Sequence, residues 1–117
     1  MRATVRRLHS PDADLATFSP RDSKDVGLLV QIMAGPADGP GEESFDVVVC
    51  TARWLDRWVQ ENGPTLGRHY LVVAEYDEPR IRVFLTEEVE SLEADTWPEL
   101  AAKIGRVGKW EFEDYRR

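Results

Sequence analysis

The chain has almost none of the residues that staple or metallate small proteins: of 117 residues, one is cysteine (Cys50) and two are histidine (His9 and His69). A single cysteine forms no internal disulfide, and these three residues show no ligand spacing, so neither a disulfide framework nor a metal centre is expected. No apolar run approaches the roughly 20 residues that span a bilayer. The amino terminus, MRATVRRLHS, carries arginines with no apolar stretch behind them, unlike a secretory signal. These absences predict a cytoplasmic protein with no membrane partner.

Catalytic and nucleotide-binding signatures are missing as well. There is no Gly-x-Ser-x-Gly elbow, and the glycines at 35, 39 and 41 sit in a loop (35–43) that lacks a GK[ST] end and carries Glu42 and Glu43 where a phosphate would need bare N–H groups. Gly105 and Gly108 are only a fragment of such a pattern, and Gly108 is read as a helix terminator. Cys50 closes an apolar strand with no lysine or histidine beside it, which predicts an inert buried thiol. The expectation is thus of no enzyme, no cofactor and no metal, with an enzyme kept open only as a third class behind two binding readings.

Positive charge is also short. The net charge is −7, and residues 75–99 hold nine acids against Arg80 and Arg82, so this stretch carries the whole excess. Nucleic acid is therefore an unfavourable partner, because binding a phosphate backbone requires a basic stripe.

What remains is a globular composition, 42% hydrophobic and 32% charged, in a length that fits one domain over residues 1–117. Hydrophobic patterning is richest in SFDVVVCTARWLDRWV, residues 44–59. Phe45, Val47 and Val49 alternate as on a strand while Val48 and Cys50 make the other face apolar, which predicts a central strand over 44–50. At Thr51, an N-cap residue, the period becomes helical through Trp54, Leu55, Trp58 and Val59, and Asn62-Gly63-Pro64 stops it. The two tryptophans, one turn apart, are expected to nucleate the core.

Elsewhere, 3–9 reads as an edge strand, 14–19 as a short extended piece, and 26–34 as a strand forming a hairpin with 44–50. The apolar run 70–74 within 68–77 reads as a buried strand. Residues 80–92 are ambiguous: Ile81, Val83 and Leu85 alternate like a strand, but Ile81, Phe84, Leu85, Val89 and Leu92 make a longer helical stripe capped by Asp77, with a break expected near Thr86. A last helix starts at Thr96, whose capping box closes on Glu99. In the tail, Trp110 and Phe112 are expected on one side of an extended segment. The fold class is α+β: a mostly antiparallel sheet of about four to five strands with three helices packed on it, in the order β-β-β-α-β-α-α plus a tail.

Several strings, taken with their spacing, resemble a known family. Gly35-Pro36 after an apolar strand, ESFDVVVCTARWL, GRHYLVVAEYD, Trp97 in a late helix and the terminal WEFEDY are similar to the bacterial immunity proteins called immunity protein 8, over about residues 18–115. One departure is Ala52, where the family pattern leads one to expect proline in the first helical turn. The resemblance implies a cytosolic protector encoded beside a polymorphic toxin, which binds the toxin domain and blocks it. An acidic adaptor of another protein complex is the alternative. Because one-signed patches steer oppositely charged partners, the toxin-binding residues are expected among Glu87, Glu90, Glu93 and Asp95, and then Glu111, Glu113 and Asp114. The first three are placed at i, i+3 and i+6 of one helix face.

Overall fold

The computed structural model describes residues 1–114 and shows an α+β fold built on a five-stranded sheet. Strand β1 (Ala3–His9) pairs antiparallel with β2 (Gly27–Pro36), and β2 pairs antiparallel with β3 (Glu43–Thr51), through the long loop expected between them. Helix α1 (Ala52–Asn62) then carries the chain back, so that β4 (Tyr70–Val73) runs parallel to β3. Helices α2 (Glu78–Glu90) and α3 (Trp97–Ile104) follow, and β5 (Lys109–Trp110) pairs antiparallel with β3. The outer side of β3 is thus shared. β5 takes its start, at Phe45 and Asp46, and β4 takes its end, from Val48 to Thr51.

The side-chain period of two assigns the two faces. Leu28, Val30 and Ile32 lie opposite Val49, Val47 and Phe45, and all six are buried. Helices α2 and α3 close this face with Ile81, Leu85 and Val89 and with Leu100, Ala101 and Ile104. At about 1.5–3 kcal/mol for each large apolar side chain removed from water, this layer is the dominant stabilising element.

Helix α1 sits on the other face and buries no residue completely. The reason is visible at Gly27, which lies opposite Cys50: a Cβ there would come within 1.9 Å of Trp54 Cε2, so the indole occupies the space that a side chain would fill. Trp54, Leu55, Trp58 and Val59 are all half-buried. The expected tryptophan nucleus is therefore corrected, because the strand preceding α1 is apolar on both faces and its pattern does not say which face carries the thicker cover. Cys50, beneath α1, is fully buried, and desolvation pushes its thiol pKa up.

The caps follow the sequence closely. Thr51, Asp77 and Thr96 each accept a backbone N–H of the first helical turn, from Trp54, Arg80 and Glu99. Thr51 Oγ1 also accepts from Val26 N at 3.1 Å, so one buried hydroxyl joins the helix cap to the start of β2. Residues 80–90 are helix without a break at Thr86. The buried stripe is Ile81, Leu85 and Val89, whereas Phe84 is 48% exposed and Leu92 lies past the helix end. Four further expectations change. Residues 14–18 form a turn, with Thr17 N and Phe18 N both donating to Asp14 O. The run 68–77 keeps only four strand residues. The cap of α3 is Gly105, while Gly108 is a close-approach position whose Cβ would meet the Phe45 carbonyl carbon at 2.9 Å. The tail leaves the sheet after Trp110 and turns, which brings Phe112 edge-on to Trp110 at 5.8 Å. Tyr115, the last residue of the terminal string, lies outside the described residues.

Candidate interaction surface

The seven acids proposed for partner binding do not share one face. Helix α2 ends at Glu90, so Glu93 is not on the helix with Glu87 and Glu90. Glu90 Oε2 accepts Val5 N at 2.8 Å, beside the irregularity between Val5 and Arg7 in the β1–β2 register. Glu93 Oε1 accepts from Arg2 Nε at 2.9 Å, and that guanidinium holds its carboxyl below the ordinary carboxylate range. Glu111 Oε1 accepts Ser44 N at 2.8 Å, and Glu113 stands 3.7 Å from Arg68 and 3.9 Å from His69. Glu87, Asp95 and Asp114 are exposed. Sequence spacing did not separate these roles, because a carboxylate that docks to a strand amide and one that faces water look alike along the chain.

The basic residues are largely engaged as well. Arg57 forms a bidentate pair with Asp25 (2.6 and 2.8 Å) and Arg53 bonds Asp22 at 2.9 Å, tying α1 to the loop before β2. The hydrogen bond from Arg57 lowers the Asp25 pKa. Arg6 reaches the carbonyls of Pro36, Gly39 and Gly41 at 2.9, 2.6 and 2.9 Å and so pins the long hairpin loop.

The two outer edges of the sheet are built differently. β1 carries two arginines and a register irregularity, and its Val5 amide is covered by Glu90. β4 has the sequence YLVV, without charge or proline, and pairs only with β3 among the described residues. Beside it, β4 and α2 enclose a groove of about 400 Å³ lined by Leu71, Val72, Val73, Ala74, Glu75, Asp77, Arg80, Ile81 and Phe84. Val72, Val83 and Phe84 are 51%, 54% and 48% exposed. Sequence reading missed this surface: Phe84 was assigned to the core stripe and the 70–74 run to a buried strand, because an uncharged apolar run is the pattern of a strand covered on both sides and carries no mark of an open edge. A second missed feature is Asp46, mid-strand on the α1 face, whose Oδ1 is buried without a hydrogen-bond partner among the described residues.

Among the described residues no group of three or more His, Cys, Asp or Glu could hold a metal ion, and no helix is long and apolar enough to cross a membrane.

Comparison with protein families gives a match to the model of immunity protein 8 over residues 3–115. The chain belongs to the immunity protein 8 family. Comparisons with curated proteins and with solved structures gave no match. For this immunity protein 8 member the family match extends the resemblance toward the amino terminus, so β1, with its Glu90 and Arg6 contacts, is part of the family domain. Ala52, the departure from the pattern, opens α1 as its first residue behind the Thr51 cap, a position that alanine fills without strain.

Proposed function

We propose that this chain binds and neutralises a cognate bacterial polymorphic toxin in the cytosol of the cell that makes both. Membership of the immunity protein 8 family over nearly the whole chain carries this reading. Its mechanism is occlusion by binding, with no covalent step. The excess of acid supports it: exposed Glu87, Asp95 and Asp114, although not gathered on one face, would attract a basic toxin, while Glu90, Glu93, Glu111 and Glu113 bond groups of the fold. The decisive experiment expresses the toxin domain encoded beside this chain, with and without it. Growth restored only by co-expression supports the reading, and arrest in both cultures overturns it. Steering is tested with Glu87→Lys and Asp95→Lys together, where association should slow at low salt and recover toward the unaltered rate as salt is raised. Unchanged low-salt association would remove these two acids from the interface.

A further inference from the structure

The open edge of β4 presents unpaired backbone beside an apolar groove. Val48 N donates to His69 O at 2.9 Å, and in a parallel ladder the N–H and C=O of alternate residues point the same way. Leu71 and Val73 therefore turn their backbone groups to β3. Tyr70 and Val72 turn theirs outward, where no strand pairs them among the described residues. Natural sheets blunt such edges with charge, proline or a bulge. This protein does so at β1, through its arginines, its register irregularity and Glu90, and leaves β4 bare. Next to the bare edge, Leu71, Val73, Ile81 and Phe84 line a groove of about 400 Å³ that would receive the side chains of an added strand.

We propose that the outer edge of β4 pairs with an extended segment of the toxin whose apolar side chains enter the β4–α2 groove and whose flanks carry lysine or arginine. The groove and the outward face of α2 beside it bring Glu75, Asp77 and Glu87 together with a single arginine, Arg80, and this excess of negative charge selects basic flanks. The same charge disfavours a second copy of this chain as the occupant, because edge-to-edge pairing of two β4 strands would set one copy's acids against the other's. Strand addition uses main-chain hydrogen bonds for affinity and alternate side-chain pockets for specificity, and the two outward residues and the groove supply one of each.

The inference rests on the immunity reading, and its test separates the two. The affinity of the purified neighbouring toxin domain is measured for the unaltered chain, for Val72→Pro and for Phe84→Glu. Proline at 72 removes an outward amide hydrogen without touching a bond to β3, and Phe84 is exposed enough for the change to leave folding intact. Each variant is expected to weaken binding at least tenfold. In the unaltered chain the Tyr70 and Val72 amides should exchange rapidly when free and at least 100-fold more slowly in the complex, a readout independent of any substitution. Toxin binding that persists within twofold in Phe84→Glu, or these amides exchanging alike in the free and bound states, overturns the groove assignment and leaves the immunity reading standing. No binding by the unaltered chain overturns both.

Discussion

Gly27 and Trp54 form a contact whose energy can be isolated. An alanine at 27 would place its methyl 1.9 Å from Trp54 Cε2, 2.3 Å from Cδ2 and 2.4 Å from Cζ2, distances that no rotamer adjustment of a methyl can relieve. The indole must leave the sheet or α1 must lift. Overpacking of this kind costs about 1–3 kcal/mol, and in a domain of this size that corresponds to a fall of roughly 4–12 °C in Tm. In a chain already carrying Trp54→Ala the obstruction is gone. There Gly27→Ala should be neutral or stabilise by about 0.5 kcal/mol, since alanine restricts the unfolded chain more than glycine does. Urea denaturation of the four proteins in this cycle, at constant slope, should therefore give a coupling energy of at least about 1 kcal/mol. If Gly27→Ala costs the same in both backgrounds, the indole is not what fills the space over Gly27, and the placement of α1 is wrong.

Leu85, 1% exposed beneath the sheet, should lose about 2–5 kcal/mol on truncation to alanine, whereas Trp58→Ala, in a half-buried helix, should lose less; thermal melts that reverse this order would return the nucleus to α1. Glu90→Ala strands the Val5 amide at part-buried depth and should cost about 1–2 kcal/mol, with Glu90→Gln, which keeps an acceptor, costing less; equal stability of all three proteins would show the bond to be idle. Cys50 should resist a thiol reagent in the native protein and react fully in denaturant, and fast native labelling would contradict its burial. Asp25 has its pKa lowered by Arg57, so its contribution is present above the unfolded carboxylate range and is lost as pH falls through its folded value. Asp25→Asn should accordingly flatten the acid limb of the stability curve below about pH 4, and an unchanged acid limb would show that the pair is not coupled to folding.

Much of the architecture was legible in the chain because local chemistry decided it. The three N-caps are short side chains bonding a neighbouring amide, the hairpin 26–34 to 44–50 is bracketed by a Gly- and Pro-rich loop, and both predictions hold in the structure. The burial of Cys50 also follows from its place at the end of an apolar strand. Three things needed the tertiary structure. The direction of β4 depends on whether α1 carries the chain back to the end where β3 began, and nothing within YLVV distinguishes parallel from antiparallel pairing. Phe84 and Ile81 belong to one stripe on the helical wheel, but only the position of α2 at the sheet margin leaves Phe84 half exposed beside β4. Glu87 and Glu90 are equivalent acids by spacing, and the fold alone turns one toward water and the other onto the Val5 amide. Caps and turns are set by atoms a few residues apart, whereas strand direction, edge exposure and the partner of a carboxylate depend on packing between distant segments, 85 residues apart for Val5 and Glu90 and 91 for Arg2 and Glu93.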